Sequence, residues 1–116
     1  MVQFKIPNQR KKIVAIDFEG TIVERKYPDI GAPKGDTISF IKRHRRKYTW
    51  ILLTCREGEK LREAVEFLDS IGLQFDYVND NATEVIEGFG YNPRKIYADY
   101  YIDDRTAKIE NLHRLV

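Results

Sequence analysis

The feature that most constrains this chain is the unbroken apolar run Ile13-Val14-Ala15-Ile16, closed by Asp17. Side chains of a strand alternate between its two faces, so a run that is apolar at every position demands cover on both sides. Parallel sheets with helices on each face provide that cover, and such a strand belongs near the centre. Trp50 to Thr54 reads as a second buried strand, Phe75 to Val78 as a short third, and Tyr97 to Ile102 as a fourth that delivers Asp103 and Asp104. Between the second and third, Leu61, Ala64, Val65, Leu68 and Ile71 recur at spacings of three and four, which predicts a helix with one apolar face, stopped by Gly72. Asp36 is expected to cap an earlier helix that carries Ile38, Phe40 and Ile41 and ends in the basic run Lys42 to Lys47. Pro28, Gly31, Pro33 and Gly35 mark an irregular loop before it, and Asn79 to Asn81 a turn. Ala82 to Glu87 reads as a brief helix and Thr106 to Val116 as a final one. This alternation predicts an α/β fold, a three-layer Rossmann-like parallel sheet with helices on both faces.

A chain of 116 residues is the size of one domain, so residues 1–116 are read as a single unit, with 1–11 as a loosely ordered N-terminal segment. Its 42% hydrophobic content is too high for disorder, and its apolar runs are far too short to cross a bilayer. The first twelve residues lack the apolar core of a signal peptide. The single cysteine, Cys55, cannot form an internal disulfide, which fits a reducing compartment, and the expected location is the cytoplasm. A net charge of +2 gives no reason to expect nucleic acid or a membrane as partner.

Three of the four strands end in polar groups: Asp17 and Glu19, then Thr54, then Asp103 and Asp104. In a parallel sheet these ends share one edge, where ligands of such folds bind. Four carboxylates meeting there call for a cation, and oxygen donors alone select a hard ion, Mg²⁺. Lys95, leading into the last strand, is placed to stabilise charge on a group being transferred, with Lys60 as its competitor.

Those residues carry a resemblance. Asp17-Phe18-Glu19-Gly20-Thr21 looks like the first signature of the haloacid-dehalogenase-like superfamily, and Ile51-Leu52-Leu53-Thr54 resembles its second. Lys95 matches the third, and Tyr101-Ile102-Asp103-Asp104 the fourth. The stretches Thr54 to Glu59 and Tyr97 to Arg105 are similar to small bacterial and phage members that lack a cap domain, and neither long gap in this chain has room for one. The resemblance implies a phosphatase or phosphotransferase. Asp17 would attack phosphorus and form an aspartyl phosphate, Glu19 would serve as acid and base, and Thr54 and Lys95 would hold the phosphoryl oxygens. Mg²⁺ would be held by Asp17, the Glu19 carbonyl and Asp103, with Asp104 bound directly or through water. Gly20 would permit the turn, Thr21 would brace the loop, and Arg56 is a candidate substrate contact. An uncapped site suits a phosphorylated substrate that is large, including phosphate on a macromolecule.

The chain departs from the family at Glu19, where aspartate is usual. An extra methylene displaces the carboxyl unless the loop shifts, and misplacement on that scale costs about 10²-fold in rate; Glu19→Asp is then expected to raise turnover. A loop adapted to the longer side chain instead makes glutamate the native acid–base group, and a third alternative is that Glu19 slows hydrolysis of a long-lived phosphoenzyme. The rival reading is a protein that keeps fold and cation site but turns over slowly or not at all. A phospho-receiver domain fits less well, since its paired acids follow the first strand. Cys55 followed by Arg56 does not make a cysteine phosphatase, because the arginine six positions on is missing; Leu61 stands there. Cys55 is read as packing at a strand end. The basic run is read as a solvated helix C-terminus, and Asp99 as a structural acid bonding a neighbouring backbone.

Overall fold

A computed structural model describes residues 10–105. The expected segment 1–11 therefore lies mostly, and the expected final helix entirely, outside the described residues. Four parallel strands, β1 (Ile13–Asp17), β2 (Thr49–Leu53), β3 (Tyr77–Val78) and β4 (Tyr100–Ile102), form one sheet in the order β3-β2-β1-β4. The helices are α1 (Gly35–Arg43), α2 (Gly58–Ser70) and α3 (Thr83–Phe89). The expected α/β class and parallel sheet are what the chain adopts.

Strand parity sorts the core into two layers. Val14 and Ile16 of β1, with Trp50 and Leu52 of β2, face Phe40 and Ile41 of α1 and Ala64 and Leu68 of α2. Ile13, Ala15 and Ile51 point the other way, onto Val85 of α3, Ala82 and Ala98. All four residues of the opening apolar run are buried. No helix among the described residues is long and apolar enough to cross a membrane.

The third and fourth strands both start later than expected, at Tyr77 and Tyr100, and before the fourth strand side chains take the place of ladder partners. The fourth strand begins at Tyr100 rather than Tyr97, since the N–H of Tyr97 goes to Asn81 Oδ1 (2.7 Å) and that of Ala98 to the Tyr101 hydroxyl (2.9 Å). Asp99 accepts from the Ile13 N–H (2.7 Å) and holds Arg10 through two bonds (2.6 and 3.0 Å), so its structural role is as expected. Asp76 repeats the device one strand pair away, accepting from the Trp50 N–H (2.8 Å) and from Arg45. Helix α1 starts one residue before Asp36, with Lys34 at the N-cap and no side-chain cap. Asp36 sits in the first turn, where its charge opposes the positive helix end.

Strand order reverses at β1: the chain moves outward through β2 and β3, then returns to β1's other side as β4. The crevice beyond the carboxyl ends of β1 and β4 is thus the switch point at which open α/β sheets take ligands.

Candidate functional site

Register Ile16↔Ile102 carries the chain one step further to Asp17 on β1 and Asp103 after β4, side by side at the switch point. Asp17 lines a cavity of about 390 Å³ with Glu19, Arg25, Tyr27, Thr54, Cys55 and Arg56. Partial burial first, then repulsion from Asp103 and Asp104, pushes the Asp17 carboxyl above its ordinary pKa, against the pull of Arg25. Gly20 turns the chain just after Asp17 with φ +79°, and a Cβ there would stand 2.9 Å from Arg25 Nε, so both backbone and space require glycine. Thr21 is fully buried, but its hydroxyl has no partner among the described residues, so it braces the loop by packing.

The four acids do not act as one group. Glu19 forms an ion pair with Arg56, and Asp104 with Arg25 at 2.5 Å. Asp103 Oδ1 accepts from the Arg105 N–H (2.9 Å). Among the described residues, no set of three or more His, Cys, Asp or Glu side chains gathers into a metal-binding group. The expectation that the four acids meet as one unpaired group is therefore corrected: Arg56, expected to contact substrate, pairs with Glu19, and Arg25, not considered in the sequence, pairs with Asp104. Asp17 and Asp103 on neighbouring strand ends still fit a Mg²⁺ ion, which takes one or two carboxylates and completes its shell with water and substrate phosphate.

Arg56 is not the substrate contact its position suggested. Its side chain is 1% exposed, and besides Glu19 it donates to the carbonyls of Asp29 (2.8 Å) and Lys60 (3.3 Å). The guanidinium lies between the rings of Phe18 (5.3 Å) and Tyr27 (5.1 Å). Such packing fixes the loop after β1 against the start of α2. It also accounts for glutamate at position 19, whose length lets the carboxylate reach this arginine.

Thr54 follows β2 directly. Its N–H donates to Asn79 Oδ1 (2.9 Å) and its hydroxyl accepts from the Arg56 N–H (3.1 Å), leaving the hydroxyl proton to point elsewhere. Cys55 is exposed and lines the cavity, so reading it as strand-end packing was incorrect. Nor does Lys95 reach Asp17. The buried Asn81 amide donates to Asn92 Oδ1 and to the backbone carbonyls of Pro93 and Lys95, pinning that segment on the α3 side, where Lys95 lines another cavity with Phe89, Pro93, Tyr97, Ala98 and Tyr101. Lys60 is half-exposed and reaches Glu63 (3.4 Å).

The cation that lines the cavity and remains open to water is Arg25, 64% exposed. It rides an excursion between β1 and α1 that is pinned at its base by Glu24 N–H to Ala32 O and Lys34 N–H to Ile22 O, both 2.8 Å. Gly31 makes the pinning possible, since a Cβ there would fall 2.0 Å from the Glu24 carbonyl oxygen. Sequence reading took Pro28, Gly31 and Pro33 as breakers and missed Arg25 and Tyr27 between Gly20 and Gly31. Their signal was an arginine and a tyrosine in a loop short enough to fold back over a strand end.

No family model and no curated protein matches the chain. A solved structure does: a conserved protein coded by a locus of Bacteroides thetaiotaomicron, 40% identical, with a TM-score of 0.70, over 83% of this chain and 78% of that one. The chain belongs to that protein's family. Kinship with the Bacteroides protein supports the architecture derived above; its description, a conserved protein, names no activity to transfer.

Proposed function

We propose that this chain is a Mg²⁺-dependent phosphomonoester hydrolase of the haloacid-dehalogenase-like type, with Asp17 as nucleophile and a turnover attenuated at Glu19. The observation that carries the reading is the placement of Asp17 beside Asp103 at the switch point, where Asp17 lines an open cavity and feels the charge of neighbouring acids. Mg²⁺, when bound between Asp17 and Asp103, would screen the substrate's negative charge from the attacking carboxylate. An Asp17 oxygen forms a bond to phosphorus while the ester P–O bond breaks, the departing oxygen takes a proton, and water then cleaves the acyl phosphate to release phosphate and restore Asp17. Thr54 offers its hydroxyl proton to a phosphoryl oxygen, and Arg25, released from Asp104, offers two N–H groups in the plane that phosphate favours. An exposed cavity rim suits a substrate larger than a free sugar phosphate, and a lone cysteine suits the cytoplasm.

Glu19 supports the attenuation. A carboxylate already engaged by a buried arginine is a poor carrier of the proton that leaving group and water must exchange. If that commitment is complete, the chain binds Mg²⁺ and a phosphorylated ligand with little turnover, which is the second reading. A phosphate-release screen over many phosphomonoesters, with Mg²⁺ and after chelation, separates the two. Release that needs Mg²⁺ and vanishes in Asp17→Asn supports the hydrolase. Release unaffected by chelation sinks the mechanism.

A further inference from the structure

Tyr27 is the most exposed large apolar residue described, at 62%, yet it is not loose. One face of its ring rests on the Arg56 guanidinium at 5.1 Å, and that guanidinium is fixed in turn by Glu19, Asp29 O and Lys60 O. The ring also lines the cavity that holds Asp17, on the same pinned excursion as Arg25. An aromatic ring that is pre-oriented at a cavity mouth, with one face packed and much of the rest in water, exposes apolar surface that a ligand can cover. Aromatic platforms of this kind take planar rings by stacking, with little regard to ring identity.

Resting on the hydrolase reading of Asp17, we infer that Tyr27 selects phosphomonoesters whose leaving group carries a planar ring. Phosphate would sit against Asp17, Thr54 and Arg25, while the ring stacks on the outer face of Tyr27. A cavity of about 390 Å³ is of the size that holds a small ligand of this kind. Two chemical sources present such a ring: a nucleoside monophosphate, through its base, and an aryl phosphate, through the ester itself.

The test is calorimetric binding to the full chain carrying Asp17→Asn, with Mg²⁺ present, so that no probe is consumed. AMP, ribose 5-phosphate and phenyl phosphate are the three probes. The expected result is that AMP or phenyl phosphate binds about 10-fold tighter than ribose 5-phosphate, and whichever does so identifies the source of the ring. Adding Tyr27→Leu should remove that preference, bringing AMP and phenyl phosphate to within about 2-fold of ribose 5-phosphate in the same variant, and Tyr27→Phe should retain it. Equal affinity for all three probes overturns the inference, as do millimolar AMP and phenyl phosphate that fail to bind, or a ring preference that survives Tyr27→Leu. Because binding is read without turnover, a ring preference in a wild-type chain that releases no phosphate would leave Tyr27 standing and remove the hydrolase. Release without ring preference would do the reverse.

Discussion

Glu19→Gln tests the ion pair at the centre of the site. Arg56 is 1% exposed and has Glu19 as its ion-pair partner, while the Glu19 side chain keeps 20% of its surface in water. Removing one partner of a buried pair costs about 3–5 kcal/mol, and partial solvation of the carboxylate lowers that to about 2–3 kcal/mol here. In a domain of this size the loss should lower Tm by about 10 °C. Glu19→Asp retains the charge but withdraws it by about 1.5 Å, one carbon–carbon bond, from an arginine held in place by two carbonyls and two rings. It should melt between the wild type and Glu19→Gln, and turnover should not rise as the sequence alone suggested. The double variant Glu19→Gln/Arg56→Met, which leaves no charge to bury, should regain much of the loss. Thermal unfolding by circular dichroism at pH 7 measures all four chains. If Glu19→Gln melts within about 2 °C of the wild type, the pair is not what fixes this loop, and position 19 is free for acid–base work.

The Asp17 carboxyl titrates above its unfolded value, so its contribution to stability is complete below the unfolded pKa, about 3.9, and is lost as pH rises through the folded pKa. Asp17→Asn should therefore melt above the wild type at pH 7 and not at pH 3, and Mg²⁺ should raise the wild-type Tm more than the variant's. Arg25→Ala should lower phosphate release by about 10-fold or more, whereas Lys95→Ala should change it little, since Arg25 alone of the two lines the Asp17 cavity; the opposite order would restore the lysine. Gly31→Ala should cost about 2–4 kcal/mol in denaturant unfolding, because its Cβ would meet the Glu24 carbonyl oxygen at 2.0 Å; a variant as stable as wild type would show that the excursion shifts freely.

What the sequence made legible was periodic. Ile13 to Ile16 and the spacing of Leu61, Ala64, Val65 and Leu68 declare a strand and a helix by patterns that tertiary contacts then satisfy, and strand ends follow once the strands are known. Asp17, Thr54 and Asp103 were therefore found together. Illegible were the pairings that join distant points: Glu19 with Arg56, Arg25 with Asp104, and Asn81 with the Asn92 side chain and the carbonyls of Pro93 and Lys95. Each joins a loop to a residue between 11 and 79 positions away, and no local pattern encodes which arginine a loop acid will meet. Lys95 failed for the same reason, because a buried amide, not strand order, decides on which face its segment lies.

The acids of this chain divide by which end of a strand they meet. At the amino ends, strands present N–H groups, and Asp76 and Asp99 accept from Trp50 and Ile13 there while each also takes an arginine. Burial pushes both carboxyls up, but those donors outweigh it and hold both below the ordinary range. Their stability is present above the unfolded pKa and lost as pH falls, so both clamps should open in acid. At the carboxyl ends strands present carbonyl oxygens, which offer a carboxylate nothing. Asp17 stands there beside Asp103 with its charge disfavoured, while Arg25 and Arg56 are spent on Asp104 and Glu19. The clamp acids Asp76 and Asp99 are thus compensated at strand amino ends, whereas Asp17 meets like charge at the strand ends where a cation and a phosphate would complete the proposed site.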